Sequence, residues 1–205
     1  MFRGLLGLCL ILVLGIGNRC MATERPKYSA ELSEPPFEVR QYAPTVVAEV
    51  HVDGTREEAV NTGFRILAGY IFGNNEAQQK VAMTAPVTQG TRVAMTAPVE
   101  QNEAQSGWDI RFTMPSGYTL STLPKPRDPR VALIAVPGRR MAAVTFSGFW
   151  SDSNLRSHRA QLLDYLGKHK LTAIAAPVYA YYDPPWTPWF WRTNEVQVEI
   201  AAAPP

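Results

Sequence analysis

The three histidines are the first residues to consider for metal or acid–base chemistry, and their spacing favours neither. His158 and His169 are 11 residues apart in a predicted helix, which separates them by about 16 Å and prevents them from sharing one metal ion. His51 stands among apolar residues of a predicted strand, which is typical of a surface or half-buried polar position. No spacing of histidines, cysteines or carboxylates matches a metal motif, and Ser147-Gly148 lacks the residues of a nucleophile elbow. The sequence therefore predicts a protein that is not an enzyme.

A seven-residue repeat suggests apolar binding instead. The sequence Val-Ala-Met-Thr-Ala-Pro-Val occupies residues 81–87 and recurs unchanged at residues 93–99. With residues 88–92 as the connection, the two copies predict a β-hairpin that places Met83 and Met95 on one face. Methionine side chains are flexible and polarisable, so this face is either ordinary core or one wall of an apolar pocket.

A helix is predicted just before the repeat. Thr55 to Glu58 has the form of a capping box, and Gly73 ends the apolar periodicity after Phe72. The apolar side chains of this helix fall within an arc of about 160°. They include Phe64, Leu67, Tyr70 and Ile71. So broad an arc predicts either a helix that lies deep against a sheet or one whose edge also touches a ligand.

The rest of the chain predicts further strands and a second helix. Strands are expected at residues 37–42, 45–52, 108–114, 131–136, 140–146, 177–182 and 195–200, and a helix at 155 to about 169. The connecting segments are an extended lead-in (23–36), an irregular crossing (118–130) and an aromatic loop (183–191).

The order of these elements suggests an internal repeat. Strand, turn, strand, glycine and capped helix recur at an interval of 94 residues, the interval that separates Val39 from Leu133. The identities are few, so the interpretation rests on the pattern. It predicts an α+β fold in which two pseudo-symmetric ββα-plus-strands halves form a distorted eight-stranded barrel with two main helices. A cleft between sheet and helix is the expected ligand site.

Charge and composition argue against a nucleic-acid partner. The chain of 205 residues has 20 Lys and Arg against 18 Asp and Glu. Arg3 and Arg19 account for the excess, and both lie in residues 1–22. Residues 23–205, which we expect to be one domain, are therefore neutral overall, whereas a nucleic-acid partner favours a basic surface.

Residues 1–22 are expected to be a secretory signal. A short basic start precedes the apolar run from Leu5 to Ile16, which is too short to span a membrane. The protein is therefore expected to be exported to the periplasm, and attachment to the membrane through the N-terminus is the alternative. Cys9 and Cys20 both lie in this segment, so the domain has no disulfide.

Several motifs together resemble the SOUL haem-binding protein family. They are the twin repeat, the run from Gly63 to Gly73, Asp183-Pro184-Pro185-Trp186 and Arg192-Thr193-Asn194-Glu195-Val196. The resemblance covers residues 28–201. It implies a distorted eight-stranded barrel similar to gyrase-inhibitor-like ligand-binding domains, a tetrapyrrole ligand beside the first helix, and no established catalytic reaction. Gln41 stands where some animal members have a histidine proposed to bind iron, so haem is expected to be held here by apolar contact.

On this basis the sequence predicts non-covalent binding of haem or a related tetrapyrrole, for storage, delivery or scavenging. The expected apolar contacts are Phe64, Leu67, Tyr70, Ile71, Met83 and Met95. Arg65 or Arg56 is expected to meet the propionates, and Arg65 lies off the apolar arc, so it reaches them only at the rim.

Two other functions stay open. One is a cell-envelope interaction module without a tetrapyrrole ligand, which contacts a membrane surface or a protein through Trp186, Trp189 and Trp191. The other is an enzyme that acts on a small apolar substrate.

Overall fold

The computed structural model describes residues 24–91, 107–184 and 186–203, and these ranges contain nine strands and two α-helices. The strands are β1 (Tyr28–Glu34), β2 (Phe37–Tyr42), β3 (Thr45–Val52), β4 (Val87–Thr91), β5 (Trp108–Thr113), β6 (Ala132–Val136), β7 (Arg139–Phe146), β8 (Val178–Tyr181) and β9 (Asn194–Glu199). The helices are α1 (Arg56–Ile71) and α2 (Asp152–Lys168), and Trp189–Trp191 form one turn of 3-10 helix.

The strands form one antiparallel sheet, curled into a half-barrel, in the order β1-β2-β7-β9-β8-β4-β5-β3-β6. Apart from β1, this order is pseudo-symmetric. The corresponding strands of the two halves are β2 and β6, β3 and β7, β4 and β8, and β5 and β9. When each strand is replaced by its counterpart, the same order results, read in the opposite direction. The predicted barrel-like α+β fold with two pseudo-symmetric halves is confirmed, with one strand more than expected. The repeat at the level of sequence stays a prediction.

The extra strand, β1, lies in the segment that was expected to be an extended lead-in. It pairs with β2, and its register is irregular between Ala30 and Leu32. Nearly all of its side chains are exposed, so it lacks the alternation of apolar and polar residues by which a sequence indicates a strand.

The hairpin predicted from the twin repeat is wrong. Residues 88–91 of its expected connection supply most of β4, which lies between β5 and β8 in the middle of the sheet. Val87 is therefore paired with Phe112 and Tyr181. The second copy of the repeat lies outside the described residues.

A buried polar side chain explains how a turn-like sequence occupies a central strand. Gln89 is 0 % exposed. Its amide nitrogen donates to the Arg56 carbonyl at 3.0 Å, and its amide oxygen accepts from the Tyr181 hydroxyl at 3.3 Å. Both ends of the amide are thus satisfied, which removes the main cost of burying it.

Both helices lie on the same face of the sheet. Residues directly opposite each other on neighbouring strands share a face. A single row of such partners crosses the sheet: Val144, Val196, Tyr179, Gln89, Ile110 and Val50. Val144 and Val196 belong to the core beneath α2, and Ile110 and Val50 belong to the core beneath α1. Each half of the sheet therefore has its own helix and its own core.

The capping box predicted for α1 is confirmed, and a glycine sets the distance of α1 from the sheet. The Thr55 amide donates to the Glu58 carboxylate at 3.1 Å, and the Thr55 hydroxyl accepts from the Glu58 amide. About two turns after Thr55, a Cβ atom added to Gly63 would lie 2.5 Å from Cγ1 of Ile110. The helix can approach β5 this closely only because residue 63 has no side chain.

We expect Gly63→Ala to destabilise the fold, whereas Gly69→Ala should not. Within a helix, alanine is normally more favourable than glycine by about 1 kcal/mol. At residue 63 the clash of the new methyl group with Ile110 should outweigh this gain and lower the free energy of unfolding by about 1–3 kcal/mol. Gly69, in the same helix, has no atom within 4 Å of an added Cβ, so its substitution should stabilise by up to about 1 kcal/mol. Urea unfolding of the two variants checks the difference. Equal stabilities would contradict the close packing of α1 on β5.

Candidate ligand-binding site

The buried side of α1 is packed directly against the sheet. Leu67, Tyr70 and Ile71 are 0 %, 1 % and 0 % exposed and belong to one apolar core. The Tyr70 hydroxyl donates to the Pro124 carbonyl at 2.9 Å, and burial raises the pKa of Tyr70 to about 12. The structure brings these three predicted site residues together, but the protein's own side chains fill the space that was expected to be a cleft. They are core residues and do not line a cleft.

Phe64 and Met83 are the predicted apolar site residues that reach the surface. They are 36 % and 38 % exposed. The Phe64 ring meets Phe112 edge-on at a centroid distance of 5.3 Å. The hydroxyl of Thr84, the residue after Met83, donates to the Thr113 carbonyl. Phe64 and Thr84 thus both contact the same end of β5, and Met95 lies outside the described residues.

Arg56 is committed to contacts within the protein. Its guanidinium donates to Asp152 at 2.6 Å, to the Trp150 carbonyl at 2.9 Å and to the Tyr181 hydroxyl at 3.2 Å. Burial alone would lower the pKa of Arg56, but Asp152 and Tyr181 raise it above its usual value. Arg56 is the first residue of α1 and Asp152 the first of α2, so this ion pair joins the starts of the two helices.

Arg65 lies on the outer side of α1. Its guanidinium contacts the Asn61 carbonyl and the Thr62 hydroxyl of its own helix. It also lines an open hollow of about 370 Å³ together with Ile66 and Arg130. At 100° per residue this hollow and Phe64 lie along opposite edges of the helix. A ligand against Phe64 would therefore meet Arg65 only over the top of α1.

The larger cavity lies away from α1. It measures about 700 Å³, which is within the usual size of a small-molecule site. Its walls come from the lead-in to β1, the turn before β3, the segment after β5 and the end of β6, and they are mainly apolar. None of the predicted site residues within the described ranges lines it.

The histidines are engaged separately, and Gln41 lies at the surface. The ring nitrogens of His51, His158 and His169 lie within 3.2 Å of Asp109, the Asn154 carbonyl and Glu34, respectively. Gln41 is exposed on β2. Within the described ranges, no group of three His, Cys, Asp or Glu side chains is arranged to hold a metal ion.

A charged cluster on the face opposite the helices was not anticipated from the sequence. Arg40 and Glu195 are each 4 % exposed and are joined by two hydrogen bonds of 2.9 Å. Glu195 also accepts from the Tyr182 hydroxyl at 2.7 Å and from the Gln197 amide at 2.6 Å. Arg40 lies over the ring of Tyr28, with its guanidinium carbon 4.6 Å from the ring centroid. The only sequence signal was that these residues alternate with the core residues of β2 and β9.

The hydrogen bonds of this cluster decide its charge state. Burial alone would raise the pKa of Glu195, but Arg40, Gln197 and Tyr182 lower it below its usual value of 4.5. Burial and the neighbouring Glu195 raise the pKa of Tyr182 far above its usual range. The cluster therefore holds an ionised carboxylate, a guanidinium and a neutral phenol, and it links β2 with β9 across β7.

The aromatic loop is exposed. Trp186, Trp189, Phe190 and Trp191 are 82 %, 50 %, 52 % and 72 % exposed, and Phe149, which stacks on Trp189, is 58 % exposed. We refer to these five residues as the aromatic surface. No helix in the described part of the chain is long and apolar enough to cross a membrane.

Comparison with known proteins gives consistent family matches. A family model described as SOUL heme-binding protein matches residues 23–199. Heme-binding protein 1 of Xenopus laevis is 27 % identical over 161 residues, which cover 78 % of this chain and 81 % of that protein. Heme-binding protein 2 of Mus musculus is 36 % identical over 77 residues, which cover 35 % of this chain. The chain spans only 38 % of the length of the mouse protein.

Solved structures share the fold at low identity. The crystal structure of the EcmrR C-terminal domain superposes with a TM-score of 0.61 at 12 % identity, covering 86 % of this chain and 99 % of that domain. An uncharacterized conserved protein from Listeria innocua gives a TM-score of 0.55 at 13 % identity, covering 80 % of this chain and 92 % of that one. These likenesses show the fold alone.

The Arg40–Glu195 pair gives a prediction about stability. Glu195→Gln preserves the side-chain shape but removes the buried counter-charge of Arg40 and leaves it only Glu38, which is partly exposed, so the substitution should cost up to about 3–5 kcal/mol. Replacing both residues, as in Arg40→Met with Glu195→Leu, should cost less because neither charge then stays buried alone. Chemical unfolding of the three proteins at neutral pH checks this. A Glu195→Gln variant as stable as the parent would contradict a structural role for the pair.

The same pair predicts a dependence on pH. Since the pKa of Glu195 is lowered in the folded state, its ionised form stabilises the fold above the unfolded value of 4.5. This contribution is lost as the pH falls through the folded-state pKa. Unfolding experiments in acid should therefore show a smaller loss of stability in Glu195→Gln than in the parent. Identical pH profiles would show that Glu195 does not carry this charge.

Proposed function

Because the chain belongs to the SOUL haem-binding protein family, we propose that it binds haem or a related planar tetrapyrrole reversibly and without a covalent bond. The names of the family and of the heme-binding relatives describe binding proteins rather than enzymes, which supports a carrier. Its role is then storage, delivery or scavenging of the ligand. With residues 1–22 removed as a signal peptide, this takes place in the periplasm.

The exposure of Phe64 and Met83 supports a ligand position beside α1. A flat apolar macrocycle gains most by covering exposed aromatic and thioether side chains, and the end of β5 is contacted by Phe64 and by Thr84, the neighbour of Met83. Leu67, Tyr70 and Ile71 form the rigid layer beneath. The ligand therefore binds against the surface of α1 rather than between α1 and the sheet.

The two predicted arginines differ in their suitability for a propionate. Arg56 already donates to Asp152, Trp150 and Tyr181, so a propionate would have to replace contacts that join the two helices. Arg65 contacts polar atoms of its own exposed helix. We therefore favour Arg65, at the rim, as the partner of a propionate. Glutamine, which stands at position 41, is a poor ligand for iron, so apolar contact supplies most of the affinity.

The aromatic surface supports a second function, contact with a membrane surface. Tryptophan is enriched where water meets lipid because its ring is apolar and its indole nitrogen is polar. Three tryptophans and two phenylalanines exposed by half or more on neighbouring segments fit that environment. Such contact would hold the carrier beside a membrane while Phe64 and Met83, on another element, bind the ligand.

Haemin titration of the purified protein should give a saturable Soret change at one equivalent. Met83→Gln should weaken binding about tenfold because a buried methionine side chain contributes about 1.5–3 kcal/mol. Leu163→Gln is the matched control, since Leu163 is an apolar side chain of similar exposure, 42 %, on α2. Equal affinities of the two variants would remove Met83 from the site, and the absence of a saturable change would contradict haem binding.

Vesicle binding tests the second function. The protein should co-sediment with phosphatidylcholine vesicles, and the combined substitutions Trp189→Ser and Trp191→Ser should reduce the bound fraction severalfold. Phe72→Ser is the control, because Phe72 is 64 % exposed but lies at the end of α1. If the control loses as much binding as the double variant, the aromatic surface is not the contact.

A further inference from the structure

The outer edge of β6 has no partner in the described part of the chain. β6 pairs with β3 on one side only and ends the sheet. The backbone groups on its other side are free to pair with another extended chain.

The pseudo-symmetry of the fold shows what is missing from this edge. β6 corresponds to β2, and the outer edge of β2 is covered by the antiparallel strand β1. The interval of 94 residues maps β1 onto residues 122–128, which contain Pro124 and Pro126. Proline has no amide hydrogen to donate to a strand ladder, so this segment cannot repeat the pairing of β1.

Residues 122–128 are instead held beside the end of α1. The Pro124 carbonyl accepts from the Tyr70 hydroxyl at 2.9 Å, and the Lys125 carbonyl accepts from the Glu76 amide at 2.9 Å. The position that β1 fills in the first half is thereby left vacant in the second half, within the described residues.

The two outer strands of the sheet differ in their protection. β1 has a register irregularity and the charged residues Glu31 and Glu34, which discourage further pairing. β6 has the sequence Ala-Leu-Ile-Ala-Val and contains no charge and no bulge. Ile134, at its centre, is 36 % exposed. An apolar edge of this kind is a pairing site.

We propose that β6 pairs antiparallel with β6 of a second copy of this chain, across a two-fold axis. A two-fold contact requires one patch that is complementary to itself, and an uncharged apolar strand meets this requirement. Of the charged residues that flank β6, Arg130 is paired with Asp128, Arg140 is paired with Glu31, and Arg139 is half-buried at the start of β7. The proposal does not depend on haem.

Such a contact is small. A single pair of five-residue strands buries less than the 1,200 Å² or so of a stable interface, so the dimer should be weak and depend on concentration. Sedimentation velocity of the haem-free protein, up to about 1 mM, measures it. We expect a monomer–dimer equilibrium in the parent chain and in Leu163→Lys, and a monomer in Ile134→Lys.

The two variants form a matched pair. Each places one lysine at an apolar position of similar exposure, 36 % for Ile134 and 42 % for Leu163, but only Ile134 lies on the edge strand. Hydrogen exchange at low and high protein concentration adds a local readout, since the outward amides of β6 should exchange more slowly in the dimer.

Three outcomes would overturn the proposal. They are a parent chain that stays monomeric throughout the concentration range, a dimer that persists in Ile134→Lys, and β6 amides whose protection is unaffected by concentration. If the β6 amides are already protected in the monomer, a partner other than a second copy of the chain covers this edge.

Discussion

The fold depends on burying both faces of a sheet whose two helices lie on the same face. The helices close one face with two apolar cores, and the other face closes around charged and hydroxyl-bearing side chains. Arg40 and Glu195 make this arrangement stable, because each is almost fully buried and each supplies the counter-charge of the other. The tyrosines and Gln197 around them satisfy the remaining polar atoms. A buried network of this kind contributes to stability only when all its members are present, so it also fixes the register of β2 against β9.

The same arrangement explains why we propose that the ligand contacts the surface of α1. Gly63 allows the helix to approach β5 so closely that Leu67, Tyr70 and Ile71 leave no gap beneath it. What remains accessible is the edge of the helix, where Phe64 lies against Phe112. A carrier that releases its ligand gains from this geometry, because a ligand on a preformed surface can leave without opening the core. The affinity then depends on a few exposed side chains rather than on the stability of the whole domain.

The sequence predicted the elements with strong periodicity and failed where polar residues are buried. Both helices, the capping box at Thr55 and seven strands followed from apolar patterns and caps. The polar residues of β4 predict a turn, because the sequence does not indicate that Arg56 and Tyr181 satisfy the buried amide of Gln89. Arg40 and Glu195 were missed for the same reason, since they are far apart in sequence and only the register of the sheet brings them together. The helical arc includes Phe64, but periodicity alone does not separate the exposed edge of α1 from its buried centre.

The junction between the two halves determines how they behave together. β4 and β8 join through the three residue pairs that begin with Val87 and Tyr181. Above them, Gln89 is bonded to Arg56, and Arg56 is bonded to Asp152 at the start of α2. Rotation of one half relative to the other would disturb the β4–β8 hydrogen bonds and the contacts at the starts of both helices at the same time. The junction therefore resists such rotation. Two separate cores are thereby coupled into one cooperative unit, and loss of order in one half should spread to the other.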